Sequence, residues 1–270
     1  MKIILSRKGF DSSAGGYPSP VLPDNNLVSF PIPDESDDMF YNQLYYKGST
    51  YLEIMNELGI NVFNENSKCH LDPDIYNGIT NRADNWRGAF GQIRAAQTHL
   101  ENKRVNEGDI FLFFGWFRKT VRINNRLTYI GPDMHAIFGY LQIGSIIKTF
   151  DNNINIPNWL LGHPHYINMK RRNYPNNTIY IASDNLSLNP VLPGYGFFKL
   201  NNSLILTCEG KSKSRWDLPN IFRNVNISYH TSKSWKEGYF QSTDRGQEFV
   251  INATDEIVDW VRNIILDGTL

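Results

Sequence analysis

Gly108-Asp109-Ile110-Phe111-Leu112-Phe113-Phe114-Gly115-Trp116-Phe117 is the stretch on which the fold turns. From Ile110 to Phe114 the chain is apolar at odd and even positions alike, so neither side of an extended backbone is left for water. That pattern marks a central strand covered on both faces rather than a half-exposed one. Asp109–Gly115 is therefore read as the middle of a sheet. Outward from it, Lys2–Leu5, Ala136–Ile147, Thr178–Ala182, Ser203–Thr207 and Glu248–Ile251 are short, β-branched or aromatic, and fenced by Gly, Pro and Asn, which reads as further strands.

Three helices are legible. Thr50 and Glu53 form a capping box ahead of Tyr51, Met55 and Leu58, and Gly59 supplies the stop. Gly91 to Lys103 repeats Ile93, Ala96 and Leu100 along one face. The last helix starts near Thr254, carries Asp255 and Glu256 in its first turn, and lines up Ile257, Val261, Ile264 and Ile265 for burial. The expectation is an α+β fold: a single β-rich domain over residues 1–270, with a central mixed sheet or barrel and a few packed helices, one of them C-terminal.

Composition fits that picture and trims the function classes. The 270 residues are 41% hydrophobic and 20% charged, a globular balance rather than a disordered or fibrous one. Lys plus Arg and Asp plus Glu are both 27, so phosphate binding has to come from a local patch rather than from a basic coat. Two cysteines, Cys69 and Cys208, exclude a disulfide scaffold and a Cys-rich zinc module. No apolar run reaches membrane-spanning length, and the opening residues lack the apolar core of a signal peptide. The expected setting is a reducing cytoplasm with no membrane partner.

Four segments carry possible chemistry. Ser6 to Gly16 leaves the first strand with two cations, Arg7 and Lys8, a carboxylate, Asp11, the hydroxyls of Ser12 and Ser13, and adjacent glycines that let a ligand approach the backbone. It lacks the Gly-Lys-Ser/Thr ending of a Walker loop. A solvated exit from the strand explains the same residues. His70-Leu71-Asp72-Pro73-Asp74 offers one imidazole and two carboxylates that point alike if extended, as an acid/base set, a metal site or an ordinary Asx turn. Further ligands at matched spacing are absent from the segment, so no metal and no cofactor is expected. His163-Pro164-His165 holds two imidazoles around a rigid residue, between Trp159 and Tyr166 and ahead of the basic run Lys170-Arg171-Arg172, as metal ligands, as a base-binding edge with a phosphate rail, or as a loop with hydrogen-bonded histidines. Ser242 to Val250 brings Arg245, Gln247 and Glu248 to the mouth of a strand, to orient a base or pair with the first loop. Trp116, at the end of the central strand and followed by Arg118 and Lys119, stands apart from aromatics assigned to the core.

The opening Ile4-Leu5-Ser6-Arg7-Lys8-Gly9-Phe10-Asp11-Ser12-Ser13, with the following Gly15-Gly16 and Pro18-Ser19-Pro20, is distinctive. Together with His70 to Asp74, Gly108 to Arg118 and Arg245 to Phe249, in that order along the chain, it resembles the third family of nucleotide-modification-associated domains. These occur in phages and bacteria near base-modification or phage-defence genes. A weaker likeness ties Gly108–Phe114 and Gly139–Ile147 to the strand pair of base-binding barrels of the pseudouridine-synthase-associated type. The family resemblance implies DNA glycosylase activity on bulky modified cytosines, such as glycosylated hydroxymethylcytosine, in anti-phage defence. On that reading Asp11 is the first choice of catalytic carboxylate and Asp72 the second, with His163 as a donor to the leaving base. Arg7, Lys8, Phe10, Ser12, Trp116, Arg118, His165, Lys170, Arg171, Arg245, Gln247 and Glu248 would contact DNA carrying the modified base. The alternatives are a nucleotide-sugar-dependent transferase that builds a modified base, and a non-catalytic reader of modified DNA.

Overall fold

A computed structural model describes residues 1–151, 155–244 and 246–269. The central apolar stretch forms the middle of an eight-stranded mixed sheet. Its strands, with one from a small flanking sheet, are numbered here in chain order. They are β1 (Lys2–Arg7), β2 (Ser19–Val21), β3 (Lys68–His70, in the flanking sheet), β4 (Ala89–Gln92), β5 (Ile110–Ile123), β6 (Arg126–Lys148), β7 (Thr178–Ala182), β8 (Tyr195–Phe197) and β9 (Glu248–Asn252). The spatial order is β9-β1-β5-β6-β7-β4, with β2 also on β5 and β8 also on β6. The β1–β5 and β2–β5 ladders are parallel and the others antiparallel. The sheet is thus an open path ending at β9 and β4, and the fold is α+β as expected.

Burial explains why the sheet is ordered this way. Ile110 to Phe114 are all 0% exposed, as are Ile3 to Leu5 beside them, which requires a sheet covered on both faces with a strand on either side. Among the described residues five α-helices pack around it: α1 (Tyr51–Glu57), α2 (Arg94–Asn102), α3 (Pro164–Ile167), α4 (Met169–Arg172) and α5 (Asp255–Thr269). The Thr50/Glu53 capping box closes as read from sequence, which stabilises α1 by about 1 kcal/mol. In α5 the face of Ile257, Val261, Ile264 and Ile265 is buried in the main core, each side chain contributing about 1.5–3 kcal/mol. A second core of Phe10, Phe30, Tyr41, Tyr51 and Met55 lies under α1. No helix among the described residues is long and apolar enough to cross a membrane.

Three local expectations change. Ser203–Thr207 is not a strand: Asn201 accepts a hydrogen bond from the Ser203 N–H at 2.8 Å, winding Asn202–Leu204 into a 3-10 turn. Only isolated bridges at Ile205 and Thr207 remain. The second helix begins at Arg94 rather than Gly91, because Ala89–Gln92 is claimed by the ladder to β7. Its buried face is Gln97 and Leu100, and Gln97 accepts from the Tyr180 hydroxyl at 3.0 Å. Finally, Asp109–Gly115 and Ala136–Ile147 are parts of one long hairpin. Asn124 and Asn125, with φ of 49° and 62°, form its two-residue turn, a geometry that asparagine tolerates and that matches strand twist.

Candidate functional site

Two segments read separately in the sequence meet in space. His70 ends β3, and the chain continues through Asp72 to Asp74, which exchanges two backbone hydrogen bonds of 2.9 Å with Ala89 at the start of β4. That pairing carries Asp72 alongside β4, where its Oδ1 accepts from the Gly91 N–H at 2.8 Å. From the other side comes α3. Pro164 starts it, His163 caps it, and His165 sits in its first turn. The ring of His165 lies directly over Gly91, where an added Cβ would stand 2.2 Å from the imidazole Cγ. Glycine is required there because the ring occupies the space of a side chain.

Around Asp72 three imidazoles converge. Its Oδ2 is 3.7 Å from Nε2 of His70 and 3.7 Å from Nε2 of His165, and its Oδ1 is 3.6 Å from Nε2 of His163. Each ring is fixed from behind. His70 donates from Nδ1 to Asp37 at 2.7 Å, and Asp37 is itself paired with Arg171 and bonded by Asn168. His165 donates from Nδ1 to Oδ1 of Asn177 at 2.6 Å. The direction of that bond follows from Asn177, whose Nδ2 is already spent on Thr149 and on the His165 carbonyl. Nδ1 of His163 accepts from the His165 N–H at 3.2 Å.

The electrostatics follow from burial and these contacts. Burial alone would raise the Asp72 pKa, but the imidazoles of His163, His70 and His165 around it outweigh burial and hold the carboxyl well below the usual range. Asp37 is lowered likewise, burial being outweighed by His70 and Arg171. His165 is pushed down to about 3, chiefly by desolvation, and is neutral at pH 7. With Nδ1 protonated, its Nε2 lone pair faces Asp72. His70 goes the other way: Asp37 and Asp72 raise it despite burial.

The cluster floors a cavity of about 550 Å³ lined by Arg7, Lys8, Arg94, Lys170 and Arg171 and by the carboxylates of Asp11 and Asp34; Arg171 is paired with Asp34 and Lys8 with Glu248. Behind it, His163 and Asp74 face a second cavity of about 300 Å³ with Trp86 and Trp159, where Arg82 pairs with Asp74 and stacks on Trp86. His70, Asp72 and His165 each offer a ligand atom within 4.8 Å of the others, so this is where an ion would be held.

The remaining candidates divide clearly. Asp72, His163 and His165 belong to the cluster. Lys8 points inward, 2.7 Å from Glu248, and Gln92 donates to the same oxygen at 2.8 Å, making a buried network beside the cavity. Arg7 lines the cavity but also donates to the carbonyls of Asp244 and Gly246 at 2.8 and 2.7 Å, and Gln247 stands on the same wall. Asp11 lies on the rim, and its Oδ1 accepts three hydrogen bonds of 2.7 Å from Ser13 and Ala14, an Asx turn. Phe10 is 1% exposed and packed between Phe30 and Phe63, so it is core rather than contact surface. Ser12 and Trp116 border a neighbouring cavity, with Lys213 over the indole at 3.8 Å. Arg118 is out on the long hairpin, bonded to the Gly131 carbonyl at 2.8 Å. Lys170 is exposed at the cavity mouth, whereas Arg171 is tied to Asp34 and Asp37 and Arg172 stacks on Tyr166. Arg245 falls outside the described residues.

Sequence reading missed Asp37, Gly91 and Asn177. Asp37 lies in an acidic loop and Asn177 in an Asn-rich one, and neither stretch signals a histidine partner 33 or 12 residues away.

No curated protein and no solved structure is significantly similar to the chain. A family model does match, that of nucleotide modification associated domain 3, over residues 2–252. Those bounds take in every strand of the sheet and every member of the Asp72 cluster. The chain belongs to the nucleotide modification associated domain 3 family.

Proposed function

We propose that this protein is a hydrolase that removes a bulky modified base from DNA by cleaving its N-glycosidic bond at the Asp72 cluster, a reaction suited to defence against phages with modified genomes. The observation that carries the reading is a buried carboxylate ringed by three imidazoles under a cavity that Arg7, Arg94 and Lys170 line. A base inside a duplex is out of reach and has to be flipped into a pocket. A volume of about 550 Å³ accommodates a nucleotide with a bulky substituent. Arg94 and Lys170 meet the phosphates on either side. The cluster holds and polarises the attacking water. Its oxygen bonds to C1′ of the sugar, the C1′–N electron pair leaves on the base, and the proton lost by the water ends on the departing base. The products are an abasic sugar and a free base. Asp72 replaces Asp11 as the central carboxylate, since Asp11 spends one oxygen on its own turn at the rim.

The test is incubation with duplexes carrying glucosylated hydroxymethylcytosine or plain cytosine, followed by mass spectrometry of released bases and a count of abasic sites. Release from the modified duplex alone, absent in Asp72→Asn, supports the reading. Tight binding with every base intact after prolonged incubation makes the protein a reader. A base altered only in the presence of a nucleotide sugar makes it a transferase.

A further inference from the structure

We propose that His70, Asp72 and His165 bind a divalent first-row metal ion, through Nε2 of each imidazole and Oδ2 of the carboxylate, with the ion's open face turned into the 550 Å³ cavity.

The spacing is the first reason. At 3.7 Å, both Nε2···Oδ2 separations are too long for hydrogen bonds, which lie near 2.7–3.2 Å. Side chains this buried and this well anchored would close to that range if a proton were all they shared. Two donors each about 2.1 Å from a common ion, at angles of roughly 109–120°, stand about 3.4–3.6 Å apart. The observed gap matches two ligands around a cation.

The second reason is the anchoring. Both rings donate Nδ1–H to an outer acceptor, Asp37 or Asn177, leaving Nε2 to face inward. Metal-binding histidines are held in this way, the outer bond fixing the tautomer and the ring plane. Asp37 is fixed in turn by Arg171.

The third reason is how the carboxylate divides its work. Oδ1 takes the Gly91 N–H at 2.8 Å. His163 turns toward the same oxygen: it is 5% exposed, and its Nε2, 3.6 Å from Oδ1, has no hydrogen-bond partner. Oδ2 is left for His70 and His165 and makes a single ligand.

Two imidazoles and one carboxylate suit zinc, cobalt or iron(II) rather than magnesium or calcium, which take oxygen donors. Three protein ligands and an open position describe a catalytic rather than a structural site. Water on such an ion loses a proton near neutral pH and would be the water of the hydrolysis described above. The metal proposal stands apart from that reading, because its test needs only the protein and the ion.

The experiment is titration of the full chain, stripped with chelator, with Zn²⁺, Co²⁺ and Mg²⁺ by calorimetry, with the visible spectrum of the cobalt form recorded. One Zn²⁺ or Co²⁺ per chain with a Kd of micromolar or tighter, cobalt absorption bands of a four- or five-coordinate ion, and no Mg²⁺ uptake are expected. His165→Ala is expected to weaken binding at least 100-fold and Asp37→Asn about 10–100-fold, while His99→Gln, on α2, leaves it unchanged. If His165→Ala fails to fold, the wild-type titration and the Asp37→Asn ratio decide. Substoichiometric uptake by wild type, or equal affinity in folded His165→Ala, overturns the proposal. Stoichiometric metal with no base release from modified DNA leaves the metal site standing and removes the glycosylase reading alone.

Discussion

Gly91→Ala tests the site without touching any group that does chemistry. The backbone at Gly91 is ordinary β-strand, in register with Ile179, so alanine costs nothing in φ and ψ. Its methyl, however, would lie 2.2, 2.3 and 2.7 Å from Cγ, Cδ2 and Nδ1 of His165. Ordinary carbon contacts are about 3.5–4.0 Å, so the ring has to retreat by more than about 1 Å or the strand has to bend. The ring is held by Asn177, which is 0% exposed, and by helix α3, so retreat breaks the 2.6 Å bond that orients it. Overpacking of this kind costs about 1–3 kcal/mol, which for a chain of this size lowers Tm by about 2–4 °C per kcal/mol. A 1 Å misplacement in a catalytic constellation costs about 100-fold in rate. The expected result is a modest fall in Tm with a loss of base release near 100-fold and weaker uptake of Zn²⁺. The assays are differential scanning fluorimetry, abasic-site formation and metal titration on the same preparation. Wild-type turnover and metal affinity in a folded Gly91→Ala protein would show that the position of the His165 ring does not matter, and the site as described would fall.

The remaining expectations concern other parts of the molecule. Asp72→Asn should reduce base release by about 10²–10⁴, whereas Asp11→Asn, which keeps the oxygen that closes its turn, should stay within a few-fold of wild type in the same assay; the reverse order would return the central role to Asp11. Lys170→Glu should weaken DNA binding and lower the salt slope by about 1, read by fluorescence anisotropy across a salt series. Arg171→Glu should instead destabilise the fold by about 3–5 kcal/mol, because it takes the guanidinium from the buried Asp37 and sets a like charge beside it, and urea unfolding measures that loss. His135 accepts from Trp216 Nε1 at 3.1 Å, and burial pushes its pKa down to about 3 from an ordinary 6.5. The unfolded chain therefore binds this proton first, and stability falls from pH 6.5 down toward pH 3 by up to about 1.4 kcal/mol per pH unit. Urea midpoints between pH 7.5 and 4 should show a shallower decline in His135→Phe, and identical slopes would count against a buried neutral imidazole.

The sheet was legible wherever burial acts on both faces of a short segment. Ile110–Phe114 and Ile3–Leu5 could be nothing but central, and Asn252 was missed at the end of β9 by one residue only. Polar ribbon was not legible: from Arg118 to Arg122 only Val121 is apolar, and only the Asn124-Asn125 turn shows that β5 and β6 are one hairpin. Nor was Ala89–Gln92, where a four-residue strand runs into a helix and helical periodicity swallows it. Asp72, His163 and His165, which the fold brings together, were among the residues singled out. What sequence spacing withheld was their meeting, because the approach is made by a backbone bridge at Ala89 and a ring seated on a glycine. The two segments were weighed apart as ligand sets, and each alone is short of a ligand.

Lys8 and Glu248 are 240 residues apart, and β1 carries its parallel partner β5 on one side and β9 on the other. During synthesis β1, β5, β6 and β7 can associate long before β9 has been made. Until residue 248 arrives, one edge of β1 has no ladder, and the Lys8 ammonium lies against the Phe90 ring with no counter-ion from β9. A strand edge of this kind, flanked by apolar residues, is the surface on which nascent chains pair wrongly with one another. The last strand thus acts as a lock on assembly. A ribosome-bound chain arrested just short of Glu248 should be captured by chaperones and cut by proteases, and one extended past Leu270 by a linker long enough to bring Asn252 clear of the exit tunnel should resist both.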